Sequence, residues 1–106
     1  MVTLKEFSQM DIRTGKVVEA SDHPDADTLY VLKVDIGSEI IQLVAGLKEH
    51  YAPEQLQGKT IVVLANLEPK ALRGVISQGM LLAARAQDRV RILTCDEDLT
   101  PGSVIG

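Results

Sequence analysis

The chain has 106 residues, with 11 basic against 15 acidic side chains and a formal net charge of −4. That length fits one domain spanning residues 1–106 and leaves no room for a second folded unit. Val, Ile, Leu and Phe make up about a third of the residues, well above the roughly 20% below which chains tend to stay disordered. Taken whole, the acidic balance speaks against a nucleic-acid partner or an anionic membrane. No apolar run approaches the roughly 20 residues that a bilayer span needs, and Met1–Glu6 lacks the pattern of a secretory signal. Cys95 is the single cysteine, so no intrachain disulfide forms and a reducing cytoplasm is the expected setting. Phe7, Tyr30 and Tyr51 are the only aromatics, too few for a mechanism built on several stacking platforms.

In chain order, Thr3 and Glu6 have capping-box spacing, which predicts a helical turn over Thr3–Ser8 with Leu4 and Phe7 facing inward. A strand is expected over Ile12–Ala20, with a bulge at Gly15. Residues 21–27 are turn chemistry. Over Thr28–Ile36 the alternation buries Tyr30, Leu32, Val34 and Ile36, and after Gly37-Ser38 the stretch Ile40–Ala45 returns as a hairpin partner. A short polar helical stretch is expected over Leu47–Tyr51, then a turn over Pro53–Leu56 ended by Gly58. The β-branched run Thr60–Ala65 reads as a buried strand. Met80–Ala86 and Arg89–Thr94 read as two more around Gln87-Asp88, with a last extended piece at Val104-Ile105. A short helix between the third and fourth strands predicts an all-β, five-stranded OB-fold barrel with short N- and C-terminal extensions. Such closure also removes sheet edges that so aliphatic a chain could not leave open.

Residues 66–79 form a fourteen-residue connection without clear secondary structure, and long loops in small domains are usually functional. Asn66, Lys70, Arg73, Ser77 and Gln78 are of types that suit phosphate and sugar contacts, and Gly74 and Gly79 allow close backbone approach. Charge is unevenly spread. Residues 1–58 carry net −5, residues 59–91 net +4 and residues 92–106 net −3. Since screening acts beyond about 8–10 Å, a partner meets the local field rather than the total.

Asp11–Lys16, His23–Leu29, Gln42–Leu47 and the run Ala65–Ala83, in that order, resemble the tRNA-binding domain family over nearly the whole chain. That family includes the C-terminal domain of many methionyl-tRNA synthetases, free-standing tRNA-binding proteins and secretion chaperones. The resemblance implies a homodimeric OB fold that grips tRNA by shape, has no catalytic activity and no cofactor, and assists a synthetase, in this case methionyl-tRNA synthetase. A peptide-binding chaperone of the same family is the alternative. By the same resemblance Ser77 and Met80 belong to the tRNA site, joined by Lys33, Lys70 and Arg73. Asn66, on the same loop, completes the set. The scarcity of aromatics agrees, because structured RNA is read through backbone geometry, 2′-hydroxyls and phosphates. Met1 and the lack of a linker point to a free-standing chain.

Rival readings of the same residues are blander. On pattern alone Met80 is a core residue and Ser77 a turn residue; only the resemblance raises them to a site. His23, Asp25 and Asp27 alternate as metal ligands could, but Pro24 and the missing fourth ligand favour a turn. Cys95 beside three acidic residues has no feature of a catalytic thiolate, and no phosphate loop, carboxylate pair or serine elbow is present.

Overall fold

A computed structural model describes residues 1–106. Its elements are α1 (Leu4–Phe7), β1 (Ile12–Asp22), β2 (Tyr30–Asp35), β3 (Ile40–Ala45), α2 (Pro53–Leu56) and β4 (Thr60–Leu64), followed by five short strands. These are β5 (Lys70–Leu72), β6 (Val75–Ser77), β7 (Met80–Leu81), β8 (Ala83–Ala86) and β9 (Arg89–Ile92). Five strands in the order β3-β2-β1-β4-β7 make the main sheet. It curls into a nearly closed OB-like barrel, as the order of elements predicts. No helix is long and apolar enough to cross a membrane.

β1 organises the barrel because it is long enough to serve both neighbours. Lys16–Asp22 pair with β2, while Ile12–Lys16 pair with β4. The extra residue that bends β1 is Val18, where the register shifts between Val17 and Glu19, not Gly15. Gly15 answers a different need: a Cβ there would sit 2.6 Å from Val34 Cγ1. The edge of β1 that β2 does not cover is capped by the C-terminal segment. Thr14 N donates to Ser103 O (2.9 Å), Ile105 N donates to Ile12 O (2.9 Å), and Arg13 bridges Val104.

The core follows the predicted alternation. Tyr30, Leu32, Val34 and Ile36 are buried with Ile41, Leu43, Leu56, Ile61 and Val63. Three expectations are corrected. Residues 47–51 form a hydrogen-bonded turn, in which Leu47 O accepts from His50 N and Tyr51 N, rather than a helix. Met80–Ala86 is not one strand: β7 pairs with β4, after which β8 leaves the barrel to pair with β9. α1 has the capping box, with Glu6 N donating to Thr3 Oγ1 and Thr3 N to Glu6 Oε1 (both 3.1 Å), but it buries nothing. Leu4 is 84% exposed and Phe7 38%. The Thr3 backbone and hydroxyl bonds hold the Glu6 carboxyl below its ordinary pKa.

Candidate nucleic-acid interface

The connection between β4 and β7 is a hairpin rather than an open loop. β5 and β6 pair Lys70 with Ser77 and Leu72 with Val75. Arg73 (φ 52°) and Gly74 (φ 87°) turn the corner, and two consecutive positive φ values are the signature of a type I′ turn. Glycine at the second position removes half of the steric cost.

Four hydrogen bonds lay this hairpin on β3. Gln42 Nε2 donates to Ile76 O (2.8 Å), Gln42 N to Gln78 Oε1 (2.7 Å), Gln78 N to Gln42 O (2.8 Å) and Val44 N to Ser77 Oγ (3.0 Å). Ser77 Oγ in turn donates to Gly79 O (3.0 Å). On its other side the hairpin is latched to the β1–β2 connection. Asp25 N donates to His23 Nδ1 (2.9 Å), which makes Nε2 the protonated nitrogen, and Nε2 donates to Leu72 O (2.9 Å). Arg73 Nη2 donates to Asp25 O (3.1 Å). His23 is thus a buried staple between two connections, both of its nitrogens bonded to backbone. Nowhere do three His, Cys, Asp or Glu side chains gather around a point that could hold a metal ion.

The result is a platform made of the outer face of β2 and β3, where Val31 and Lys33 stand opposite Val44 and Gln42, framed by the two latched connections. Lys33 is half-buried, and Nζ donates to Gln42 Oε1 (2.5 Å). Lys70 and Arg73 are exposed, and neither is within salt-bridge distance of a carboxylate; the ion pairs of the chain are Arg13–Asp11 and Lys48–Asp22. Arg13, by contrast, is occupied. Its hydrogen bond to Asp11, and the charge of that carboxylate, raise its pKa further. Lys70 borders a hollow of about 250 Å³ together with Val44, Leu72, Ser77 and Met80. Met80 is 44% exposed.

Lys33, Lys70, Arg73, Ser77 and Met80 therefore come together around the hairpin. Asn66 stands at its base with both ends of its amide turned to the N-terminal segment: Oδ1 accepts from Asp11 N (2.9 Å), and Nδ2 donates to Gln9 O (2.8 Å). Ser77 is buried, and its hydroxyl is occupied on both sides. Gln78, of a type suited to phosphate, is bonded to the backbone of β3. Gln42, not among the expected site residues, is the hub that joins Lys33 to the hairpin; its outward position on a strand was the one available signal. The largest hollow, about 560 Å³, lies elsewhere, between Tyr51, Lys59, Ile92 and Cys95. Thr60 Oγ1 donates to Asp98 there (3.2 Å), which closes the C-terminal segment onto the barrel.

Replacing Ser77 by alanine leaves Val44 N–H without its acceptor in a partly buried place. The expected cost is about 1–3 kcal/mol, read as a lower urea midpoint. A midpoint equal to wild type would show that water replaces the hydroxyl.

An OB-type barrel that carries a basic hairpin beside its β2–β3 face belongs to the class of nucleic-acid-binding domains. Residues 12–104 match the family described as "Putative tRNA binding domain", and the chain belongs to that family. It is 56% identical over 104 residues, 98% of its length, to methionine–tRNA ligase of Thermococcus kodakarensis, of which it spans 14%. Among solved structures it superposes on a MetRS-related protein from Pyrococcus horikoshii with TM-score 0.93 and 32% identity, covering 100% of this chain and 98% of that one. The chaperone CsaA from Bacillus anthracis superposes with TM-score 0.91 and 29% identity, covering 100% and 99%.

Proposed function

We propose that this domain binds tRNA without catalysing a reaction, recognising backbone shape as a homodimer in the cytoplasm and raising the tRNA concentration available to methionyl-tRNA synthetase. The observation that carries this reading is the hairpin itself. Two cations without carboxylate partners, Lys70 and Arg73, are held on a latched element beside the β2–β3 face in a chain of the tRNA-binding family. Lys70 and Arg73 neutralise phosphates. Met80 offers an apolar contact at the floor of the hollow. Lys33, with two of its three donors free, reaches sugar or backbone oxygens, while Ser77 and Asn66 hold the hairpin and its base in place. Similarity to part of a methionine–tRNA ligase supports the choice of synthetase.

The Lys70→Ala/Arg73→Ala variant is expected to weaken binding of all tRNAs alike and to flatten the dependence on log[salt] by about two ions. Filter binding between 50 and 200 mM salt, on the scale over which phosphate contacts are lost, measures both. A folded variant that binds like wild type overturns the assignment. The structural likeness to a chaperone favours a second reading, binding of unfolded peptide. Tighter binding of a denatured peptide than of folded tRNA would select it.

A further inference from the structure

Three arginines outside the site described so far are gathered on one element. Arg85, Arg89 and Arg91 sit on the β8–β9 hairpin, a two-stranded ribbon outside the main sheet whose Val90 and Ile92 pack against the barrel core. Opposed pairs share a face in an antiparallel ribbon. Ala84/Arg91 and Ala86/Arg89 therefore form one face, and Arg85, opposite Val90, takes the other. None of the three arginines is paired with a carboxylate. Arg91 is nevertheless held in place. Its Nη1 donates to His50 O (3.3 Å), and its guanidinium lies 5.2 Å from the centroid of Tyr51, whose hydroxyl accepts from Ile92 N (3.0 Å). It is a pre-positioned charge that nothing neutralises.

The ribbon is also continuous with the platform. The hollow beside Lys70 shares Val44 and Met80 with a second one, of about 230 Å³, which Arg85 borders. Arg85 then joins Arg89 and Arg91 around a third, of about 250 Å³, whose floor is Ala84 and Ala86. Arg85 thus links the hollow beside the Lys70 platform, on its own face of the ribbon, to the one that Arg89 and Arg91 border on the other face. That second face has small side chains, so a bulky backbone can approach its guanidinium groups. Arg89 and Arg91 are two residues apart, about 7 Å along the strand, a spacing that serves neighbouring phosphates of one nucleic-acid strand.

We propose that the β8–β9 ribbon is a second arm of the RNA-binding surface, with Arg85, Arg89 and Arg91 gripping the sugar-phosphate backbone of a helical segment beyond the one at Lys70 and Arg73. This rests on the tRNA-binding reading. Guanidinium forks meet phosphate oxygens two at a time, and three arginines without carboxylate partners on one short ribbon suit a polyanionic backbone.

The test compares wild type, Lys70→Ala/Arg73→Ala and Arg85→Gln/Arg89→Gln on folded tRNA, with circular dichroism as the check on folding. The Arg85→Gln/Arg89→Gln variant is expected to bind about tenfold more weakly at physiological salt, with a salt slope shallower by about two ions. Arg91→Gln, made separately because of its Tyr51 contact, should remove about one more. Wild-type affinity and slope in the glutamine variants, with Lys70→Ala/Arg73→Ala still impaired, overturns the second arm and leaves the tRNA reading standing. No tRNA binding by wild type removes both. Displacement of tRNA by polyglutamate at equal charge concentration would overturn the RNA assignment in favour of an acidic protein.

Discussion

Gly79→Val is expected to remove tRNA binding in a chain that still folds in part, because Gly79 is where the barrel closes. A Cβ there would meet Leu64 O at 2.7 Å and Leu43 Cδ2 at 3.4 Å. The carbonyl cannot yield, since Leu64 lies in β4 and is the register partner of Met80 in β7. The chain at 78–80 must therefore move outward. β7 is only two residues long, so little pairing resists that movement, and the bonds that pass through this point go with it. Gly79 O loses the Ser77 hydroxyl, Val44 N loses Ser77 Oγ, and the exchange between Gln42 and Gln78 opens. The hairpin carrying Lys70 and Arg73 then has only the Gln42 Nε2 bond to Ile76 O and its His23 and Arg73 latches. Overpacking costs about 1–3 kcal/mol, and the lost Ser77 bonds about 1 kcal/mol each. In a domain of this size a melting temperature lower by at least 10 °C is expected, at roughly 4–8 °C per kcal/mol. Gly58→Ala is the control: it has a positive φ of 82° but open space around the added Cβ, and it lies at the end of α2. It should lose some stability and no tRNA affinity. A Gly79→Val protein that melts and binds as wild type would show that the hairpin is held from elsewhere.

Much of the barrel was legible because its signals are local. Alternation through Tyr30–Ile36, the Gly37-Ser38 turn and the β-branched run at Thr60–Leu64 each act within a few residues, and the structure buries the expected faces. What could not be read depends on distant partners. The strands within residues 66–79 are three residues each, too short to show a period. Arg73-Gly74 also lacks the Asn or Asp that usually announces a type I′ turn. Their stability comes from Gln42, Val44 and His23, which lie tens of residues away in sequence. Gly15 invites the reading of a bulge, but a glycine fits close packing equally well, and only the position of Val34 distinguishes the two. For the site, charge counted by segment located the basic region. Which polar groups remain free to meet a partner was not legible, since the bonds that occupy Ser77, Gln78 and Asn66 exist only in the fold.

The exposed apolar residues at the two ends support a second large effect. The wild-type chain is expected to sediment as a homodimer at micromolar concentration, and Leu4→Asp/Phe7→Asp as a monomer. α1 carries a complete capping box yet buries none of its residues. Leu4 and Val104 are each more than 80% exposed, with Met10 and Leu99 about half exposed. These residues come from two neighbouring segments. The C-terminal segment runs along β1, and the position of a Cβ on Gly106 is 3.6 Å from Phe7 Cε2. The barrel does not need them, because its core cluster draws only on residues 17–63. Covering several such side chains with a second copy is worth about 1.5–3 kcal/mol for each that becomes fully buried. A carboxylate at two of these positions would have to be desolvated in the same contact. The barrel of the variant should keep its circular dichroism, while its melting temperature loses the concentration dependence that a dimer imposes. Two copies would also present two basic surfaces to one tRNA, so separating them should weaken binding by about tenfold or more through lost avidity. A wild-type chain that is already monomeric, or a variant that remains dimeric, would assign the apolar ends to some other contact.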